Sequence, residues 1–196
     1  MSKTVEFLYD FVSAPSYIAW KALVPMLEAA GVTLVMTPVL VTGVFKATGN
    51  VAPMSIPAKL EWITRDLGYW CAKRGVTITP SPFHPIRSLP LVRGSFLAAE
   101  RDETTRYIAA VFDAIWLHGR KLSDMKVVEE SLNEVGLDAK AYLQGMERDD
   151  IKEKLRLSTG DAVARRAFGV PTFFVNGELF FGQDRIEFVM DALQRS

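Results

Sequence analysis

The sequence predicts an α/β chain in which a small mixed sheet is assembled from the two ends and a large all-helical stretch is inserted between them. Three observations carry this. The chain opens with an apolar, β-prone run, a helical pattern and a second β-branched run. From residue 41 to residue 167 strand patterning is absent and helical periodicity takes over. Close to the end, two short β-prone runs flank Asn176-Gly177, and a helical pattern follows.

Val5-Glu6-Phe7-Leu8-Tyr9 reads as a buried strand ending at Asp10. Tyr17, Ile18, Trp20, Leu23 and Leu27 then recur at helical spacing from Ser16 to Ala30, with Pro25 expected to kink or break the helix and Gly31 to cap it. Val32 to Val39 gives a second strand. A helix opened by Ser55 and Pro57 carries Leu60, Ile63, Leu67 and Trp70 and closes at Gly75. A proline-rich loop, Thr79 to Pro85, leads to a helix opened by Ser88 and Pro90. Further helices are expected around Tyr107 to Trp116, Val127 to Val135, Ala139 to Met146 and Asp149 to Ala167. Trp62, Trp70, Phe112 and Trp116 read as core. Thr172 to Val175 and Glu178 to Phe181 form a hairpin across Asn176-Gly177, whose residues both tolerate positive φ. A helix from Asp184 to Leu193 ends the chain. The order is β-α-β, many helices, β-β-α, with a right-handed first crossover and parallel early strands. Residues 1–40 and 168–196 are expected to form the sheet domain and 41–167 the helical insertion subdomain.

Composition bounds the function. The chain has 196 residues, 49% of them apolar, with 23 basic and 23 acidic side chains and no basic run, so a nucleic-acid partner is not expected. Cys71 is the one cysteine, which rules out an intramolecular disulfide. Two histidines and one cysteine far apart give no metal-ligand spacing. No long apolar stretch precedes Asp10, against a cleaved secretory signal, and none is long enough to span a bilayer, so a cytoplasmic protein is expected.

Four pieces of sequence carry chemistry. Asp10-Phe11-Val12-Ser13-Ala14-Pro15-Ser16-Tyr17 joins the first strand to the first helix, and Ser13 and Ser16 stand three apart. Gly43 to Asn50, with Lys46, follows the second strand and is expected to be a loop. Phe168-Gly169-Val170-Pro171-Thr172-Phe173-Phe174 leads into the hairpin, and Phe181-Gly182-Gln183-Asp184-Arg185 leads out of it. Together these resemble the kappa-class glutathione transferases and the closely similar 2-hydroxychromene-2-carboxylate isomerases over essentially the whole chain, and the last segment with Lys46 to Asn50 tilts the likeness toward the isomerases. Ala14 and Pro15 stand where that family's usual pattern has proline and an aromatic residue.

The resemblance implies a DsbA-like thioredoxin fold in which serines replace the Cys-x-x-Cys of redox relatives. It also implies glutathione as cofactor, a small aromatic carboxylate as substrate and a homodimer. Ser13 would then donate a hydrogen bond to the glutathione sulfur at a helix N-terminus, where the N–H groups and dipole favour the thiolate. An ordinary helix cap is the alternative. Val170 and Pro171, with a cis bond between them, would present backbone to an extended peptide; a trans proline that merely starts a strand is the alternative. Gly182, Gln183 and Asp184 would hold the γ-glutamyl end, or simply form an acidic first turn. Lys46 and Asn50 would face the substrate carboxylate, and Phe83 and His84 the mouth of the site; a solvated loop lysine and a structural histidine are the bland alternatives. The implied reaction is the glutathione-dependent cis–trans isomerisation of 2-hydroxychromene-2-carboxylate to trans-o-hydroxybenzylidenepyruvate, in aromatic ring degradation. Kappa-type conjugation of electrophiles and a non-catalytic glutathione-binding or interaction protein are the rivals.

Overall fold

The computed structural model describes residues 3–195. β1 (Thr4–Tyr9), α1 (Ala14–Ala29) and β2 (Thr33–Pro38) come first, then α2 (Val41–Thr48) and α3 (Pro57–Arg74). The insertion continues with α4 (Leu89–Glu100), α5 (Thr104–Phe112), α6 (Met125–Glu134), α7 (Ala139–Gly145) and α8 (Asp149–Ala164). β3 (Thr172–Val175), β4 (Glu178–Phe181) and α9 (Ile186–Gln194) close the chain.

The strands lie in the order β2-β1-β3-β4. β1 and β2 are parallel, while β3 is antiparallel to both β1 and β4, so the ends of the chain do share one mixed sheet. Asn176 and Gly177 have φ of 52° and 83°, the two positive values the tight hairpin needs. Val5, Phe7 and Tyr9 are fully buried on one face of β1, with the Phe7 and Phe173 rings 4.9 Å apart across the strand pair. Leu8 and Phe174 pack on the other face against Val41, Val44 and Ala162 of α2 and α8. Helices therefore cover both faces, which is why β1 reads as a nearly continuous apolar run. On the first face the aromatic cluster continues through Phe11 into Phe112 of α5, so the insertion shares its core with the sheet.

Three expectations need correction. Pro25 does not end α1, which runs on to Ala29. The helix loses only the hydrogen bond that Pro25 has no N–H to make, and buried Leu23 and Leu27 on either side hold the turn against the sheet. Residues 41–48 are a helix, not a loop. Their β-branched residues and Gly43 are poor helix formers, but Val41 and Val44 are buried against α8 and tertiary packing overrides propensity. Trp62 is not core: it is 62% exposed, and no residue of α3 is fully buried. α3 packs against α1, and Ile63, Leu67 and Trp70 are only half-buried, so Trp70 too falls short of the core position expected of it; Leu60, expected on the same face, is 44% exposed. Phe112 and Trp116 are buried as expected.

Candidate active site

The site is built where β1 ends. Ser13 caps α1 in extended geometry, and its Oγ accepts from the Ser16 N–H at 3.1 Å. The helix thus begins at Ala14, two residues before the periodicity alone places it. Pro15 occupies the second helical position, where it sacrifices no intrahelical bond. The first turn of α1 holds no acidic residue, so the positive end of the helix dipole is unopposed. The Ala14 N–H finds no acceptor among the described residues.

The Ser13 hydroxyl also reaches across the sheet to the Val170 carbonyl, as donor at 3.4 Å. Val170-Pro171 is cis. The Val170 N–H has no acceptor among the described residues, and the Pro171 carbonyl accepts from Gly182 N–H at 2.9 Å. One hydrogen-bonded path therefore runs from the Ser13 side chain through the backbone of Val170 and Pro171 to Gly182. Gly182 has φ of 108°, and a Cβ there would stand 2.4 Å from Asp184 Oδ1, so the position calls for glycine. Gln183 is buried and opens a short 3₁₀ turn, Gln183–Arg185, ahead of α9; the expected helix start at Asp184 is this turn. Asp184 pairs with Arg185 at 3.4 Å.

Two residues that the resemblance alone would not have singled out organise this region. Asp10 is fully buried. Its carboxylate accepts from Val12 N–H at 3.1 Å and Val41 N–H at 2.9 Å, while its main-chain carbonyl accepts from Ser13 N–H at 3.1 Å. Burial pushes its carboxyl above the usual carboxylate range, against the pull of donors from Val41, Ser88, Val12 and Phe11. The second is Trp116, on the π-helical turn Asp113–Leu117 that extends α5, whose Nε1–H donates to the Phe11 carbonyl at 2.9 Å. The signal for Asp10 was a lone acid closing an apolar strand. Nothing in the spacing of Trp116 distinguishes it from its core neighbours.

The proposed substrate-side residues are unequally placed. Asn50 donates to the Phe168 carbonyl at 2.8 Å and accepts from Val51 N–H, which ties the end of α2 to the segment before the cis bond. Lys46 is exposed on α2, not in a loop, and no hydrogen bond or ion pair within the described residues holds it. His84 lies with its ring 4.8 Å from Trp116; its Nδ1 is buried without a partner, and burial lowers its pKa, so the imidazole is neutral. Phe83 is 44% exposed beneath the Lys121 ammonium. His84 thus touches the Ser13 loop through Trp116, and Asn50 touches the Val170 segment through Phe168.

A DSBA-like thioredoxin domain model matches residues 4–194. The chain belongs to that family. Among known proteins, this DSBA-like chain is 28% identical over 196 residues to a 2-hydroxychromene-2-carboxylate isomerase of Sphingobium xenophagum, covering 98% of this chain and 99% of that protein. It is 25% identical to Homo sapiens glutathione S-transferase kappa 1, covering 98% of this chain and 92% of that protein. A solved 2-hydroxychromene-2-carboxylate isomerase structure superimposes with a TM-score of 0.89 at 25% identity, covering 98% of this chain and 95% of that one. The relatives are isomerases and transferases, and the fold is the one the resemblance implied.

Proposed function

We propose that the chain is a glutathione-dependent cis–trans isomerase of an aromatic keto acid, with 2-hydroxychromene-2-carboxylate as the substrate to try first. The observation that carries this is Ser13: a hydroxyl held between the Ser16 N–H and the Val170 carbonyl, at a helix N-terminus with no acid in its first turn. That group suits a thiol. The free N–H groups of Ala14 and Val170 and the Ser13 O–H fit a thiol-bearing peptide laid along the cis-proline segment. Gly182, Gln183 and Asp184 would receive its γ-glutamyl end.

Bound glutathione supplies a thiolate that adds to the conjugated C=C, which makes it a rotatable single bond until the sulfur leaves again. The chain's own task is to keep that sulfur ionised. A free thiol of pKa about 8.5 is about 3% ionised at neutral pH. A hydrogen bond to a charged acceptor is worth about 2 kcal/mol, and at about 1.4 kcal/mol per pKa unit the one Ser13 O–H, turned from its long bond to the Val170 carbonyl onto the sulfur, would bring the ionised fraction to about half. The Ser16 N–H that Ser13 accepts polarises its O–H and strengthens that donation. Exposed Lys46 would attract the substrate carboxylate, while Asn50, with one amide N–H committed to Phe168, would offer the other. Phe83 and His84 would border the ring, and residues 41–167 would form the subdomain that supplies this substrate side. We place the enzyme in the cytoplasm as a homodimer.

The test is isomerisation of 2-hydroxychromene-2-carboxylate with and without glutathione, followed by mass spectrometry of the mixture. Turnover only with glutathione, and no accumulating adduct, is expected. Equal rates without glutathione would sink the reading. A stable conjugate would move the chain to the transferase side of its relatives.

A further inference from the structure

One cavity among the described residues does not open on Ser13. It holds about 660 Å³ and lies between the free edge of β2, α1 and the α4–α5 face of the insertion. None of Ser13, Val170, Pro171 or Gln183 lines it. Its size falls within the range of about 300–1,000 Å³ typical of small-molecule sites. Leu34 through Pro38 form one wall along the unpaired strand edge, and Trp20, Leu27 and Ile108 make its deeper walls apolar.

Two buried hydroxyls interrupt that apolar lining. Tyr9 is fully buried and Ser95 is 3% exposed, and neither oxygen makes a hydrogen bond of acceptable geometry within the chain. They stand close enough for Ser95 to temper the effect of burial on the phenol. Pairing with each other would still leave one O–H without an acceptor, because two hydroxyls carry two donors. A buried donor left unsatisfied costs about 1–3 kcal/mol. Thr37 and Ser158 also reach the lining, but their hydroxyls are committed to Glu6 and the Pro38 carbonyl; half-buried Thr104 and exposed Thr105 add two hydroxyls that water can reach. The single charged residue on the lining is Glu28, which is exposed, and no cation accompanies it.

We infer that this cleft is a second ligand site, for a neutral, largely apolar ring compound with one carbonyl or phenolic oxygen that takes the hydrogen bond Tyr9 and Ser95 have to give. An anion does not suit it: the lining has no positive side chain, and Glu28 repels. The inference stands apart from the glutathione reading, since it uses different residues.

The probe is para-trifluoromethylphenol, followed by fluorine NMR with the full chain at neutral pH, with para-trifluoromethylbenzoate as its charged counterpart. Saturable binding of the phenol below millimolar, undisturbed by glutathione, is expected, with the benzoate at least tenfold weaker. Ala99→Trp, at an exposed position on the lining, should weaken the phenol about tenfold by steric closure. Tyr9→Phe should weaken it by a similar factor through the lost donor. If Tyr9→Phe does not fold, the Ala99 variant decides alone. No saturable binding, equal binding of the benzoate, an Ala99→Trp protein that binds unchanged, or a soaked crystal showing only ordered water between Tyr9 and Ser95 overturns the inference.

Discussion

Ser13 does two things with one oxygen: it accepts from Ser16 to start α1, and it donates toward Val170. Ser13→Ala should therefore cost about 1 kcal/mol in urea unfolding as a lost cap and about 10²–10³ in glutathione-dependent turnover as a lost donor. The pH profile separates the two roles. A merely structural change leaves it alone, whereas loss of the thiolate's donor moves the rise in rate toward the free thiol pKa of about 8.5. Asp10 yields a different pH signature. Its folded-state pKa is raised by burial, so the folded protein holds the proton more tightly than the unfolded one. Stability should fall as pH rises from the unfolded value of about 3.8–3.9 to the folded one, then level off. Asp10→Asn removes that slope and cannot accept from both Val12 and Val41. Urea titrations should show it less stable, by about 1–3 kcal/mol, with the deficit largest at the acid end. The capping role of Ser13 was legible from its place after the first strand, where the residues alone read as a helix cap; its role toward a thiol was implied only by the family resemblance. The partners of Asp10 were not legible, because Val41 lies 31 positions away and only the folded chain brings its N–H to the carboxylate.

At the scale of the element, the strands, the hairpin and most helix ends were readable, for local reasons. Gly31 and Gly75 take positive φ where helices stop, and Asn176-Gly177 can make only a tight turn. α2 was missed because its residues are individually poor helix formers and its stability comes from α8, more than a hundred residues on. Trp62 was misplaced because periodicity identifies a face without saying whether a second element covers its flank. α4 depends on a close approach of the same long-range kind. A Cβ on Gly94 would stand 2.0 Å from the Tyr107 hydroxyl, which itself donates to the Leu91 carbonyl at 2.7 Å. Gly94→Ala should destabilise by about 3 kcal/mol, read as a lower urea midpoint at unchanged slope. On α5, Trp116→Phe keeps the ring in place but deletes the N–H that Phe11 accepts. Amide exchange at residues 11–13 should quicken, with a global loss of only about 1 kcal/mol.

For the molecule as a whole, a DSBA-like thioredoxin fold carries Ser13 and Ser16 at the start of its first helix. Cys71 is half-buried on α3 and its thiol pKa is raised by burial, so it is a weak nucleophile. Cys71→Ala should leave isomerase turnover within about twofold, since it keeps within the usual small effect of a substitution remote from the chemistry. The protein should not catalyse insulin reduction with any thiol donor, measured by turbidity. The α/β class and the nesting of helices between two sheet-forming ends were visible in the order of periodicities. The cavity beside β2 was not, since Tyr9 and Ser95 meet only after the insertion folds back over the strand edge.

The Trp116–Phe11 contact ties the long helical stretch between the two ends of the sheet to the loop that leads to Ser13, rather than leaving it a cover laid on top. A chimera that grafts residues 41–167 from a distant relative onto this sheet inherits a foreign grip on residues 11–13, and its activity should track whether an indole donor arrives at position 116, whatever the overall sequence identity of the graft.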